Sequence, residues 1–332
     1  MDLFKPKEKF SLGLDIGTSQ IKLVKLKLGK DTTELCAFAI EPFQDSPLAA
    51  LKKIAAAEAV KKVNISVSGP AAIIRYVNLP RMNTEELRQS LKFEAEKHIP
   101  FPASEVNTDA SILKADLPDN KMLVLIAAVK KEFVNQRIKL VEEAGLKVNA
   151  IDIDSLAIIN AFNFNYPGSD NPKAVGLLNI GATYSNLNIL EGALPRLSRD
   201  IHIAGNSFTR KVSDALTLDK EPIEALKVSP DKEHADRSSA SVDASFLQLV
   251  GEIRTSFDYY ESQSASSVTK IFLSGGASLF PGLKDNLANM LGIEVDYWDP
   301  IKQLTLSSRV DREAIKAVSL ELATAVGLSL RF

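Results

Sequence analysis

One sequence pattern occurs twice, once in each half of the chain. Residues 12–26 read LGLDIGTSQIKLVKL, and residues 176–190 read GLLNIGATYSNLNIL. The two stretches align Asp15 with Asn179, Gly17 with Gly181, and Ser19 with Thr183. In each copy an apolar strand ends in a polar turn that contains a glycine, and a second strand follows. This repeat predicts a duplicated fold with one hairpin in each half.

The two turns have the chemistry of a phosphate-binding site. Gly17 and Gly181 allow backbone N–H groups to approach phosphate oxygens closely. Hydroxyl groups that can donate further hydrogen bonds come from Thr18, Ser19 and Thr183. Either segment alone fits an ordinary hairpin, but two matching turns in separate halves favour a single polyanion held between them.

Two charged residues lie beside the first turn. Asp15 would repel a phosphate group, so we expect it to hold hydrated magnesium instead. Lys22 projects from the polar side of the second strand, where it can reach phosphates as a point charge. Together they predict a site for a phosphate group bound with a metal ion.

A third motif occurs late in the chain. Residues 271–283 read IFLSGGASLFPGL, a buried strand that runs into a Gly-Gly loop and a helix opened by Pro281. Gly275 and Gly276 have no side chains that would block a flat adenine ring. After two phosphate hairpins, this loop predicts that the polyanion is a nucleotide.

Between the two hairpins lies a segment with its own order of elements, β-α-β-β-α-β. Thr84 is expected to cap its first helix, with Glu85 and Glu86 in the first turn. This order predicts a small ferredoxin-like α+β subdomain, inserted at about residues 79–153. Its strands are predicted near residues 73–78, 105–113, 122–129 and 147–153, and its helices from Thr84 and over residues 131–144.

The second half of the chain begins with a predicted helix at residues 155–164. A polar stretch then predicts an exposed helical flap at about residues 217–265. Helical spacing inside it produces one apolar stripe, which we interpret as core packing: Phe246, Leu249, Ile253, Phe257 and Tyr260. We predict two lobes, 1–154 and 155–332, with the C-terminal helix packing back toward the first lobe.

Charge and hydropathy narrow the range of functions. The net charge of −2 gives no electrostatic signature of a nucleic-acid-binding protein. The basic start FKPKEKF is typical of a solvated terminus, and contact with lipid headgroups is the alternative. No apolar run approaches the roughly 18 residues that a membrane-spanning helix needs, so we expect a cytoplasmic protein.

The sequence offers little for disulfides or zinc. Cys36 is the only cysteine, which excludes an internal disulfide and fits a reducing compartment. The histidines are widely spaced and lack partners at metal-ligand spacing: His98, His202 and His234. No zinc site is predicted.

The three motifs, in this order, resemble the phosphate-1, phosphate-2 and adenosine motifs of the actin-like ATPase superfamily. The inserted subdomain sits where the cell-division protein FtsA and its relatives carry an extra subdomain. Within that group the chain is similar to the PilM family of type IV pilus assembly. The resemblance implies an α/β, duplicated, actin-like (ribonuclease H-like) fold with two lobes. It covers nearly the whole chain through KFSLGLDIGTSQIKLVKL, YVNLPRMNTEELRQSLKFEAEKHIPFPASEVNTD, VLIAAVKKEFVNQRIKLVEEAGLKVNAIDIDSLA, IFLSGGASLFPGL and AVGLSLRF.

The resemblance assigns residues to each motif. The first phosphate hairpin would comprise Asp15, Gly17, Thr18, Ser19 and Lys22. The second would comprise Asn179, Gly181, Ala182 and Thr183. The adenosine motif would comprise Gly275, Gly276 and Ser278. The implied ligand is ATP or ADP with Mg²⁺, and Asp15 would bind the metal.

Two further assignments each have a simple structural alternative. Gly205, in the turn IHIAGN, matches the glycine where a helix N-terminus faces the nucleotide. The alternative there is helix capping by Asn206 and Ser207. Glu224 and Lys227 match a pair that flanks adenine and ribose in the superfamily, and the alternative is a surface ion pair.

One position departs from the family pattern. The second phosphate motif usually carries an aspartate that helps to position the attacking water and the metal, and this chain has Asn179. An amide cannot accept the proton of water, and losing such a group typically costs a factor of roughly 10² to 10⁴ in rate. We therefore expect nucleotide binding with slow or no hydrolysis. Asp154 either positions water in its place or caps the helix that begins near Ser155.

The resemblance implies an assembly component rather than a metabolic enzyme. It implies that the protein grips the N-terminal cytoplasmic tail of a PilN-like inner-membrane protein and links that platform to the pilus motor ATPases. It would associate with the inner membrane peripherally, through its partners. ATP binding would close the cleft between the lobes, so nucleotide state would bias partner affinity without turnover.

Two alternatives come from the same superfamily. A filament former like FtsA would anchor through a C-terminal amphipathic helix, and this chain ends at LSLRF. A phosphotransferase like the sugar kinases would need a catalytic acid near the cleft and a polar sugar pocket, and neither stands out in the sequence. These two comparisons favour pilus assembly.

Overall fold

Groups of one to three strands are separated by helices along most of the chain. The computed structural model describes residues 9–30, 32–59, 61–167, 173–216 and 232–331. The strands are β1 (Lys9–Ile16), β2 (Gln20–Leu28), β3 (Thr33–Pro42), β4 (Lys62–Val67), β5 (Ala72–Pro80), β6 (Val106–Leu117), β7 (Lys121–Lys130), β8 (Lys147–Ile153), β9 (Ala174–Ile180), β10 (Ser185–Glu191), β11 (Leu194–Ile201), β12 (Val268–Ser274), β13 (Glu294–Tyr297) and β14 (Thr305–Leu306). The helices are α1 (Pro47–Ala57), α2 (Thr84–His98), α3 (Lys131–Glu143), α4 (Asp154–Asn165), α5 (Gly205–Leu216), α6 (Lys232–Gln263), α7 (Leu283–Leu291), α8 (Arg312–Val318) and α9 (Ala323–Ser329).

Two large sheets repeat one strand order. The first sheet has the order β14-β3-β2-β1-β4-β8, and the second has the order β11-β10-β9-β12-β13. In both sheets the two hairpin strands are antiparallel, and a later strand adds in parallel to the first of them. The order β3-β2-β1-β4 therefore corresponds to β11-β10-β9-β12, which confirms the predicted duplication.

The apolar patterns of the sequence become the cores of these sheets. On β2, Ile21 and Leu23 are fully buried, and Lys22 between them, on the opposite face, is slightly more exposed. Such alternation buries one face of a strand and leaves polar groups on the other. The predicted stripe of α6 is buried in the core of the second sheet: Phe246, Leu249, Ile253, Phe257 and Tyr260. The interpretation of that stripe as core packing is confirmed.

The predicted insertion is an α+β unit, but its sheet has three strands, in the order β5-β7-β6. Strand β8, predicted as its fourth, pairs with β4 in the six-stranded sheet. There Val148 and Ile151 pack against the core of that sheet, so a four-stranded ferredoxin-like sheet is not completed.

The N-cap of α2 also differs from the prediction. Asn83 rather than Thr84 accepts hydrogen bonds from two first-turn amides, and Glu86 completes a capping box.

The last helix, α9, packs against α4 and against strands of the first large sheet. It contacts α4 and β1, and Asn64 of β4 donates a hydrogen bond to the carbonyl of Leu328 over 2.9 Å. Of the predicted flap, residues 217–231 lie outside the described residues. The division into lobes 1–154 and 155–332 stays a prediction.

A helix that crosses a bilayer needs about 20 predominantly apolar residues in succession. Among the helices of the described residues, none combines that length with that hydropathy.

Candidate functional site

The two hairpin turns have the same backbone geometry. In the first, the N–H of Gly17 donates to the carbonyl of Gln20 over 3.1 Å. In the second, the N–H of Gly181 donates to the carbonyl of Tyr184 over 3.0 Å. The closing strand pairs also correspond, with Ile16 opposite Ile21 and Ile180 opposite Ser185. The alignment made from sequence therefore holds residue by residue through both turns.

The tips of the two turns face each other. The hydroxyl groups of Thr18 and Thr183 share a hydrogen bond of 2.8 Å. Neighbouring backbone groups are tied into the surrounding fold, because the carbonyl of Ser19 accepts from the N–H of Phe43. Residues from the two halves of the repeat thus meet at one place, as the sequence predicted for a shared ligand.

A cluster of charges lies beside the first turn. The Lys22 ammonium group forms an ion pair with Asp15 over 3.1 Å, and both side chains are largely buried. Burial favours the neutral amine, but the carboxylates of Asp15, Glu321 and Asp154 outweigh it, so the pKa of Lys22 is raised. Arg137 of α3 donates to the carbonyl of Ile16 over 3.1 Å. The cluster combines three carboxylates with two cations.

Asp154 belongs to this cluster rather than to a helix cap. It is the first residue of α4, the N-cap position is Ile153, and no side chain caps the helix. The capping alternative for Asp154 is therefore wrong. Burial raises the pKa of Asp154 to about 6; the charge of Asp15 adds to this rise, and the hydroxyls of Ser66 and Ser68 oppose it. The carboxyl group can therefore bind or release a proton near neutral pH.

Beside the second turn, amide side chains stand at the two positions that Asp15 and Lys22 occupy in the first hairpin. Asn179, which aligns with Asp15, accepts a hydrogen bond from the Ser274 hydroxyl over 3.1 Å. The residue opposite it on β10 is Asn186, whose amide donates to the carboxylate of Asp200. Asp200 also accepts from the N–H of Gly69 over 2.6 Å. Burial raises the pKa of Asp200, while these two donors and nearby His202 oppose the rise.

The start of α5 supports the second turn. The N–H groups of Gly205 and Asn206 donate to the carbonyls of Gly181 (3.0 Å) and Ala182 (2.7 Å). A Cβ atom at position 205 would lie 2.9 Å from the Cβ of Ala277, so glycine allows the motifs to pack this closely. The Asn206 side chain donates to Thr183 over 3.3 Å rather than capping the helix. The first two amides of α5 are thus already used by the hairpin.

The Gly-Gly loop fits tightly against the end of β9. Gly275 has φ of 86°, and a Cβ atom there would lie 2.4 Å from the carbonyl oxygen of Ile180, so packing alone requires glycine. The Ser278 hydroxyl donates to the carbonyl of Gly275 over 2.6 Å and is buried within the loop. Gly276 is exposed. The loop is therefore open to solvent at Gly276 and closed by packing at Gly275.

Sequence reasoning missed two residues near these motifs. Glu321 lies against Gly276, and Asp200 joins the second hairpin to Gly69. The signal for Asp200 was an acidic residue at the end of the strand before the turn IHIAGN. Of the predicted residues, Glu224 and Lys227 lie outside the described residues, and the roles of the others stay predictions.

The repeated sheets, the facing turns and the Gly-Gly loop define the class of the protein, which has the actin-like two-lobed fold. A family model described as type IV pilus assembly protein PilM matches residues 13–332. The chain therefore belongs to the PilM family of type IV pilus assembly proteins.

Two solved structures are similar to this chain. The structure of the PilM-PilN type IV pilus biogenesis complex matches with a TM-score of 0.85 and 26% identity, covering 97% of this chain and 98% of that chain. The ethanolamine utilization protein EutJ from Carboxydothermus hydrogenoformans matches with a TM-score of 0.57 and 12% identity, covering 98% and 90% of the two chains. The second likeness is one of fold alone.

Proposed function

We propose that the protein binds ATP or ADP with Mg²⁺ between its two hairpin turns and acts as a nucleotide-controlled scaffold in type IV pilus assembly. The observation that supports this most directly is the contact between Thr18 and Thr183 over 2.8 Å. It brings two glycine-containing turns with hydroxyl groups to one point, beside the ammonium group of Lys22. That arrangement suits a polyphosphate held from both sides.

The ligand would be held by the residues around the two turns. Backbone N–H groups and hydroxyls would bind phosphate oxygens, and Lys22 would exchange its partner Asp15 for a phosphate group. Bound Mg²⁺ would neutralise phosphate charge, and Asp15 would hold it. The described residues contain no group of three or more His, Cys, Asp or Glu side chains able to hold a metal ion. A single carboxylate fits magnesium that arrives with its nucleotide, because such magnesium takes its other ligands from phosphates and water.

Hydrolysis would be slow or absent. The amide oxygen of Asn179 already accepts a hydrogen bond from Ser274, and an amide cannot take a proton from water. Asp154 is the remaining candidate to position water, since its pKa of about 6 would leave it mostly ionised at pH 7. Nucleotide binding, rather than turnover, would then set the state of the scaffold.

The partner would be the N-terminal cytoplasmic tail of a PilN-like inner-membrane protein. A relative at 26% identity was solved in a complex described as PilM-PilN, and the match covers nearly all of both chains. Through this tail the protein would be held at the inner membrane from the cytoplasmic side. The protein would also contact the pilus motor ATPases and so link them to the inner-membrane platform, as the family resemblance implies.

Calorimetric titration of Mg²⁺-ATP, together with a phosphate-release assay, tests the nucleotide part of this proposal. We expect the unmodified protein to bind, and Asp15→Ala to weaken binding about 10- to 100-fold, as expected for a lost charged interaction. Asn179→Asp should leave binding intact and raise phosphate release. Glu313→Ala, on the exposed face of α8, is the matched control and should change neither. Absence of binding by the unmodified protein would contradict the proposal.

The partner is tested with a fluorescent peptide of the PilN-like tail. We expect its affinity to differ between the nucleotide-free and Mg²⁺-ATP states, since nucleotide state would bias the surface presented to the partner. Equal affinity for the peptide in both states would mean that nucleotide does not control partner binding.

A further inference from the structure

Lysine residues gather at one edge of the first large sheet. Strand β2 runs antiparallel to β1, whereas β4 runs parallel to β1 and β8 runs parallel to β4. The end of β2 and the starts of β1, β4 and β8 therefore lie at the same edge of the sheet. The lysines at this edge are exposed, and we call them the basic edge: Lys9, Lys30, Lys61, Lys62 and Lys147.

Lys62 and Lys147 stand side by side on the basic edge. They are paired residues of the parallel strands β4 and β8, and neighbouring strands lie about 4.8 Å apart. Both side chains are exposed, and neither forms an ion pair or a hydrogen bond with any residue that the structure describes. Like charges held next to each other repel, so this pair costs free energy unless an anion offsets it.

Lys61 adds a third charge next to this pair. Its ammonium group donates to the backbone carbonyl of Ala55 and, over 2.7 Å, to that of Glu58 at the end of α1. Its own carbonyl accepts the N–H of Lys147 over 2.7 Å, which joins the two segments. Within the described part of the chain no carboxylate pairs with Lys61, so its charge adds to those of Lys62 and Lys147.

Three carboxylates beside the basic edge face lysines that do not belong to it. Glu58 pairs with Lys25 over 2.7 Å, Glu143 pairs with Lys139 over 3.8 Å, and Glu34 is opposite Lys27 on neighbouring strands. Glu142, exposed at the end of α3, has no cation paired with it among the described residues. Positive charge therefore exceeds negative charge at this edge.

Two further features bear on what the basic edge can bind. The basic start of the sequence, FKPKEKF, leads directly into β1 at Lys9 and brings two more lysines close in sequence. Asp15 lies at the opposite end of β1, roughly 20 Å away at 3.3 Å per residue. A large partner on the basic edge would therefore leave the hairpin turns accessible.

We propose that the basic edge binds the surface of a bilayer that contains anionic lipids. Such a surface contacts several lysines at once, and each lysine close to it strengthens binding about fivefold. The chain has a net charge of −2, so this affinity would belong to one edge and not to the protein as a whole. The inference goes beyond the proposed function, in which partners alone hold the protein at the inner membrane, and it needs no nucleotide.

The test is flotation of the whole chain with phosphatidylcholine vesicles, prepared with and without phosphatidylglycerol. We expect binding only where phosphatidylglycerol is present, and weaker binding as the salt concentration rises. Lys62→Gln with Lys147→Gln should weaken binding about 30-fold, and Lys62→Glu with Lys147→Glu should abolish it. Lys62→Arg with Lys147→Arg keeps both charges and should bind like the unmodified protein.

The matched control is Lys92→Glu with Lys114→Glu. It changes the net charge as much as the glutamate pair does, at two exposed lysines of the inserted α+β unit, which leaves the sheet at the opposite end of β4. Because salt screens charges more than about 10 Å from the surface, the control should bind like the unmodified protein.

Several outcomes would overturn the proposal. One is the absence of vesicle binding, or equal binding with and without phosphatidylglycerol. Another is an equal loss in the glutamate pair and in the control, because net charge rather than the basic edge would then set the affinity. Retention on double-stranded DNA that the glutamate pair abolishes, without binding to vesicles, would assign the edge to nucleic acid. Circular dichroism identifies any variant that does not fold, and the glutamine and arginine pairs then decide the result.

Discussion

The two hairpins share a backbone and differ in their side chains. Each turn is closed by a glycine N–H that donates to the carbonyl three residues later, and the flanking strand pairs correspond. Beside the first turn stands the ion pair of Asp15 and Lys22. The same two positions of the second hairpin hold Asn179 and Asn186. Duplication has preserved the geometry of the turn but not its charge.

The amides of the second hairpin connect it to the insertion. Asn186 donates to Asp200, which accepts the N–H of Gly69, just before the first strand of the insertion. A second link lies two residue pairs further along β10 and β11. There Ser198 donates to Asn188 over 2.6 Å and shares a hydrogen bond with the hydroxyl of Tyr76 over 2.8 Å.

The two hairpins therefore have separate tasks. The first concentrates charge, which suits a polyanion and its metal, while the second uses a hydrogen-bond network around Asp200 to hold neighbouring parts of the fold together. Buried polar networks of this kind fix geometry, because each unsatisfied member would cost free energy. Variants in each hairpin should then differ in the size and the kind of their effect.

The largest effect is expected from breaking the ion pair of the first hairpin. Lys22→Met leaves the largely buried Asp15 without its cation and close to the charge of Asp154. Removing one partner of a buried pair should lower the free energy of unfolding by about 3 kcal/mol. Urea denaturation followed by circular dichroism measures this loss.

The double variant Lys22→Met with Asp15→Asn shows whether charge is the cause. Removing the unpaired carboxylate as well should restore more than half of the lost stability. A double variant as unstable as Lys22→Met alone would mean that Lys22 stabilises the hairpin by packing instead.

Much of the fold was accessible from the sequence, because periodic patterns report local structure directly. The repeat around Asp15 and Asn179 predicted both hairpins and aligned their turns correctly, and the spacing of the α6 stripe predicted its burial. Strand β8 shows the limit. Its residues predict a strand, but which sheet it joins depends on β4, a partner distant in sequence.

The site was predictable where a motif marks it and not where tertiary contacts create it. Gly275 and Gly276 were found from their position after a buried strand, but no local pattern shows that Glu321 lies over Gly276. Asp200 is similar, because its partner Gly69 lies 131 residues away along the chain. Sequence reasoning did identify Asp154 as a candidate. Its place in a charge cluster depends on β1 and β4, which are distant from it in sequence.

A smaller effect is expected from removing the link between the second hairpin and the insertion. Asp200→Ala leaves the Gly69 N–H and the Asn186 amide without their acceptor. We expect the free energy of unfolding to fall by about 1 to 2 kcal/mol. Two unsatisfied donors alone would lower it further, but the variant also removes a carboxylate whose burial is unfavourable. Hydrogen exchange should speed up at the amide of Gly69 more than elsewhere.

The matched control for this variant is Asp109→Ala. Asp109 is exposed on β6 and hydrogen-bonds only to the adjacent amide of Ala110 among the described residues. The variant Asp109→Ala should leave both the free energy of unfolding and hydrogen exchange at the Gly69 amide unchanged. Unaltered exchange at Gly69 in Asp200→Ala would show that other contacts hold the segment around Gly69, and that the second hairpin does not fix it.

The smallest effect is a pH dependence that belongs to the first hairpin. The pKa of Asp154 is about 6 in the folded protein and 3.8 for an unperturbed carboxyl, so the folded state binds this proton more tightly. The resulting stabilisation is complete below pH 4 and is lost as the pH rises past 6. Between pH 5 and pH 8, Asp154 should therefore lower the stability of the protein by about 1 kcal/mol.

Urea denaturation of the unmodified protein and of Asp154→Asn at both pH values isolates this contribution. Asparagine cannot ionise, so the stability of the variant relative to the unmodified protein should be about 1 kcal/mol more favourable at pH 8 than at pH 5. Any loss of packing or hydrogen bonding in the variant is the same at both pH values and cancels. Asp109→Asn, at an exposed position, should show no such difference. An equal difference at both pH values for Asp154→Asn would mean that burial beside Asp15 does not raise the pKa of Asp154.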